Sequence, residues 1–124
     1  MLKIAPTLIV EKIEPSLDFF ANRLGFTKVA EVPGDDGLVF AMLVHGPVEI
    51  HLQTKKSAAK DLPFGDSRMP SSSFLYIDVA DVKELHQRLQ DTDIVLPLEK
   101  TLYGATHFFL REPGGHILGF SQNE

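Results

Sequence analysis

Glu49 and His51 stand two residues apart in the run Val48 to Gln53, where Val48, Ile50 and Leu52 alternate with Glu49, His51 and Gln53. In a strand that alternation sends a carboxylate and an imidazole to the same face. Such a pair can move a proton, hold a hydrogen-bonding ligand, or supply two of the three or more donors that an open divalent metal site needs. His107 becomes a third donor if Thr106, Phe108 and Leu110 pack inward. Phe74, Tyr76 and Phe109 offer aromatic faces that stack flat or cationic molecules, and Asp78 adds a carboxylate two residues after Tyr76. Phe74 and Phe109 suit a core equally well.

These residues need strands to carry them, and the sequence supplies strands in two sets. Ala5 to Val10 is β-prone. Pro15-Ser16 opens a helix whose stripe is Leu17, Phe20 and Leu24, and Gly25 stops it. Strands over Phe26 to Val32, Leu38 to Val44 and Val48 to Gln53 follow, separated by the turns Pro33 to Gly37 and His45 to Pro47. Thr54 to Ser73 is rich in Ser, Pro, Gly and charge and reads as a linker or flap, with Lys55, Lys56 and Lys60 on it as a solvated basic cluster. The pattern then recurs. Phe74 to Val79 is a strand, Asp81 caps a helix with Val82, Leu85 and Leu89 on one stripe, and Ile94 to Leu98 is an edge or bulged strand because it contains Pro97. Thr106 to Arg111 and His116 to Gln122 close as a hairpin around Glu112-Pro113-Gly114-Gly115. Ala5 to Glu49 and Phe74 to Gly119 are nearly equal separations, which makes an internal repeat the economical reading. The expectation is an α+β fold of two βαβββ modules, residues 1–54 and 74–124 with a linker over 55–73, each burying its helix stripe on one sheet face and leaving the other face to line a cleft. In the last strand Leu118 and Phe120 alternate with Gly119 and Ser121, so its second face is small and has room for a metal, a ligand or a neighbouring side chain.

Composition narrows the functions. The 124 residues include no Cys, which excludes disulfides, thiolate metal sites and cysteine nucleophiles and suits a cytoplasmic protein. A net charge of −5 without a concentrated basic run argues against nucleic acid as a partner, and no stretch is long enough to span a bilayer. Ser71 to Ser73 beside Arg68 lack the elbow of a serine nucleophile. Tyr103-Gly104 precedes the last hairpin and places a phenol at the mouth of the cleft or packs a loop.

Ser16-Leu17-Asp18-Phe19-Phe20 with Arg23-Leu24-Gly25-Phe26, Val48-Glu49-Ile50-His51-Leu52, Val79 to Leu89, and Glu112-Pro113-Gly114-Gly115 together resemble the vicinal oxygen chelate superfamily, which includes glyoxalase I, extradiol dioxygenases, and fosfomycin- and bleomycin-resistance proteins. The resemblance implies metal ligands on the first and fourth strands of each half, at Ala5 or its neighbours, Glu49, Phe74 and Gly119. Only Glu49 can ligate. The bleomycin-resistance type is the closer likeness, through Ala5-Pro6-Thr7-Leu8 and the ending Ser121-Gln122-Asn123-Glu124. It implies a homodimer that binds a small, flat, cationic molecule without a cofactor and without turnover. The expected ligand-binding residues are Glu49, His51, Phe74, Tyr76, Asp78, His107 and Phe109. The competing expectation is a lyase, transferase or dioxygenase with a divalent metal on Glu49, His51 and His107.

Overall fold

The computed structural model describes residues 1–62 and 73–123, which fall into two compact units, Met1–Met69 and Pro70–Glu124. In the first, β1 (Thr7–Val10) is followed by α1 (Ile13–Asp18), a π-helical turn (Phe19–Arg23), β2 (Thr27–Gly34), β3 (Gly37–His45), β4 (Val48–Thr54) and α2 (Lys55–Asp61). The sheet order is β1-β4-β3-β2, with β1 parallel to β4 and the other pairs antiparallel. The second unit contains β5 (Leu75–Asp78), α3 (Val82–Arg88), β6 (Asp93–Lys100), β7 (Ala105–Arg111) and β8 (Ile117–Asn123) in the equivalent order β5-β8-β7-β6. Each unit is thus the βαβββ module that the repeat implied, and the fold is α+β.

Alternation places the cores. In β4 Ile50 and Leu52 are buried; with Leu8, Val10, Ala41 and Leu43 they receive Ile13, Phe19 and Phe20 from the helical segment. Phe20 meets Phe26 edge-on, with ring centroids 5.4 Å apart. In the second unit Phe108, Leu110, Leu118 and Phe120 are buried, as are Val82, Leu85 and Leu89 of the helical segment, and Phe108 stacks on Phe120 at 5.3 Å. Each such side chain contributes roughly 1.5–3 kcal/mol by leaving water.

Two elements differ from the sequence reading. The first helix starts at Ile13, not at Pro15, and buries Ile13, Ser16, Phe19 and Phe20, while Leu17 and Leu24 stay half-exposed. Its last turn is π-helical, and that wider turn changes the phase of the stripe. The expected linker begins with a helix, α2, because the Thr54 hydroxyl accepts a hydrogen bond from the Ser57 amide at 3.2 Å and Ala58 is buried beneath it. The rest of the linker reading, including Arg68 and Ser71-Ser72, lies over residues 63–72, outside those described.

The hairpin between β7 and β8 turns as expected and adds a feature. Glu112 is 1% exposed, and its carboxylate accepts from the amides of Gly114 at 2.8 Å and His116 at 3.2 Å. A buried carboxylate is tolerable only when so bonded.

Candidate functional site

On the first unit, Glu49 and His51 share the sheet face opposite the helix, as their alternation required. His51 Nε2 lies 2.7 Å from Glu49 Oε2, and Lys3 Nζ lies 2.8 Å from Glu49 Oε1. Hydrogen bonds from Lys3 and then His51 hold the Glu49 carboxyl below its ordinary value of 4.5. Phe40 packs edge-on to the His51 ring at 5.4 Å. Both carboxylate oxygens therefore already have partners, one of them a cationic amine.

The second unit carries a ring cluster on its equivalent face. Phe109 lies 5.1 Å from Phe74, 5.1 Å from His107 and 5.9 Å from Tyr76, and the contacts to Phe74 and His107 are edge-to-face. Phe74 is 54% exposed, Tyr76 43% and His107 8%, so the imidazole forms the floor and the two rings form the rim. The Tyr76 hydroxyl lies 2.8 Å from His107 Nδ1, and Glu99 Oε1 lies 3.4 Å from His107 Nε2. Asp78 ends β5, exposed and opposite Ser121, and is not among the hydrogen bonds of the cluster.

What fills the room over Gly119 is now visible. A Cβ at Gly119 would lie 2.6 Å from Cε2 and 2.9 Å from Cζ of Phe109, and 2.9 Å from Cδ1 of Tyr76. The missing side chain lets these two rings lie down on the sheet.

Register revises one correspondence between the halves. Thr7 pairs with His51 and Tyr76 pairs with Gly119, while Val10 precedes Ile13, and Val79 precedes Val82, by the same interval. The counterpart of Gly119 is thus His51, whereas Glu49 matches the place of Ile117. The ladder therefore sets Thr7, His51, Tyr76 and Gly119 at corresponding places, of which only His51 is a strong metal donor. Among the described residues no three His, Cys, Asp or Glu side chains are gathered as a metal would need. Within the first unit Glu49 and His51 are two donors, short of the three or more that an open divalent site needs.

Lys3 and Glu99 belong to these faces although neither was among the expected ligand-binding residues. Glu99 pairs with His107 across the β6–β7 ladder, but the register shifts between Ile94 and Leu96 and again between Leu96 and Glu99. Simple alternation through Pro97 does not find it.

Two βαβββ modules, each with a helix on one sheet face and chemistry-bearing side chains on the other, define the fold class. The chain belongs to the Glyoxalase/Bleomycin resistance protein/Dioxygenase superfamily, whose model matches residues 3–120. It is 29% identical to a bleomycin resistance protein of Geobacillus stearothermophilus, with 98% of this chain and 97% of that one covered. Among solved structures it is similar to TioX from Micromonospora sp. ML1, with a TM-score of 0.75, 20% identity and both chains fully covered. It is also similar to the bleomycin-binding protein of Streptomyces verticillus complexed with copper(II)-bleomycin, with a TM-score of 0.66, 20% identity, and 100% and 98% of the two chains covered.

Proposed function

We propose that this protein reversibly binds a small, flat, cationic organic molecule without a metal and without turning it over. The observation that carries the reading is the exposed ring cluster of Phe74, Tyr76 and Phe109 over His107. Aromatic surface is costly to leave in water, and edge-to-face rings present the electron-rich faces that attract a delocalised cation. Asp78 on the same side of β5 supplies counter-charge, and Glu49 with His51 gives the first unit its own polar contact face. Similarity to a bleomycin resistance protein supports a small organic ligand. The reading places binding in the cytoplasm and the chain in a homodimer, because the edge strand β2 is exposed along its whole length, with Val29 53% and Val32 48% exposed.

Calorimetric titration with metal-free bleomycin, with and without a chelator, tests the reading. The expected result is saturable binding that the chelator does not change, with the drug recovered chemically intact. Binding that vanishes with chelator, or a modified product, would replace it with metal-dependent catalysis.

A further inference from the structure

Side chains directly opposite one another in paired strands share a face, so register sets four residues in one row across the second unit's sheet. Asp78 of β5 pairs with Ser121 of β8, Ser121 with His107 of β7, and His107 with Glu99 of β6. The row therefore ends in a carboxylate on each outer strand. Ser121 and His107 between them are buried, whereas Asp78 and Glu99 are exposed. Three strand spacings separate the two acids, roughly 14 Å along the row.

The neighbouring row on the same face runs from Tyr76 through Gly119 to Phe109. With no side chain at Gly119 both rings lie down, and their planes are 32° apart with centroids at 5.9 Å, closer to a continuous floor than to a crossed pair. The Tyr76 ring crosses β8 to bring its hydroxyl 2.8 Å from His107 Nδ1, so the floor reaches the middle of the acid-ended row. Glu99 meets His107 Nε2 only at 3.4 Å, longer than an ordinary N–H···O bond, and its side chain is 51% exposed. That carboxylate is open to a ligand. Further along the same face Arg111 and Asp93 pair with each other at 3.3 Å, so their charges cancel.

From this aromatic floor with an acid at each end, and resting on the binding reading above, we infer that the second unit takes a rod-shaped aromatic dication laid across the strands, one cationic end at Asp78 and the other at Glu99. The flat middle stacks on Tyr76 and Phe109, where ring faces favour a delocalised cation. Amidinium or guanidinium ends suit the two sites, because each presents parallel N–H groups to a carboxylate. The ligand class narrows accordingly to arylamidines and related rods with a charge at both ends.

Titration calorimetry with 4′,6-diamidino-2-phenylindole and 6-amidino-2-phenylindole tests the inference, since the two share one flat rod and differ in a single amidinium. Wild-type protein is expected to bind the diamidine roughly tenfold more tightly, the scale of one hydrogen-bonded charged group. Asp78→Asn and Glu99→Gln keep the side-chain shapes, and each alone should bring the diamidine down to the affinity of the monoamidine. The monoamidine itself should weaken by no more than about twofold in either variant, because it can turn end for end onto the remaining acid. Removing both acids should weaken both probes. Equal binding of the two probes by wild-type protein, or a diamidine advantage that survives either single substitution, would overturn the inference and leave the binding reading intact. Failure of wild-type protein to bind either probe would overturn both.

Discussion

Gly119 decides the shape of the ring cluster by having no side chain. Overpacking a sealed core costs about 1–3 kcal/mol, but Tyr76 faces solvent and Phe109 is half-exposed, so they can yield outward. Gly119→Ala is therefore expected to lower stability by only about 1 kcal/mol in urea denaturation while weakening aromatic-cation binding roughly tenfold, because it lifts both rings off the sheet. Equal affinity in the variant would show that the cluster is not the contact surface. Glu49 gives a second prediction. Its carboxyl is held below 4.5 by Lys3 and His51, so their stabilising effect is fully present above that value and is lost as pH falls through the lower folded one. Titration of the Glu49 side chain by NMR should show the depressed midpoint, and Lys3→Met should move it upward; an unmoved midpoint would remove Lys3 from the face. The residues on these faces were legible where a strand alternates without interruption, as in Glu49 with His51 and Tyr76 with Asp78. Glu99 was not, because the irregular pairing around Pro97 breaks the period. Nor was Lys3, which lies before β1 and reaches Glu49 only through the parallel pairing of β1 with β4.

Caps and turns set the limits of the elements, and here too local chemistry explains what could be read. Asp81 announces α3, and its carboxylate accepts from the Glu84 amide at 3.1 Å. Pro15 misleads, because proline is tolerated anywhere in a first helical turn, where its missing N–H has no partner to lose. The helix can therefore start two residues earlier, at Ile13. α2 has seven residues and one buried position, Ala58, so no apolar period marks it in the sequence. The β7–β8 turn was readable from its Pro and Gly residues, but the burial of Glu112 was not, since a glutamate beside a turn ordinarily points to water. Glu112→Ala removes the acceptor of two amides, leaving buried donors unsatisfied, and is expected to cost about 1–3 kcal/mol in urea denaturation. A loss below about 0.5 kcal/mol would mean that solvent replaces the carboxylate.

At the scale of the whole molecule, the family and the two βαβββ modules follow from pieces spread over nearly the entire chain, while self-association rests on what one strand leaves uncovered. β2 is an edge strand with every residue exposed, yet it is poorly made for adding another strand. Its pairing with β3 shifts register between Lys28 and Ala30 and again between Val32 and Pro33, it contains Pro33, and it carries Lys28 and Glu31, which pair with each other at 3.1 Å. Bulges, proline and charge are the features that keep sheet edges from joining. The proposed homodimer therefore packs through side chains such as Val29 and Val32 and not through a continuous ladder. Sedimentation equilibrium is expected to give twice the 13.8 kDa chain mass at micromolar concentration, and the double substitution Val29→Lys with Val32→Lys should return it to the single chain mass while far-UV circular dichroism stays unchanged. A wild-type protein that sediments as one chain at every concentration, or a double variant that still dimerises, would remove β2 from the contact. In the first case the ligand would have to be held by the faces of one chain alone.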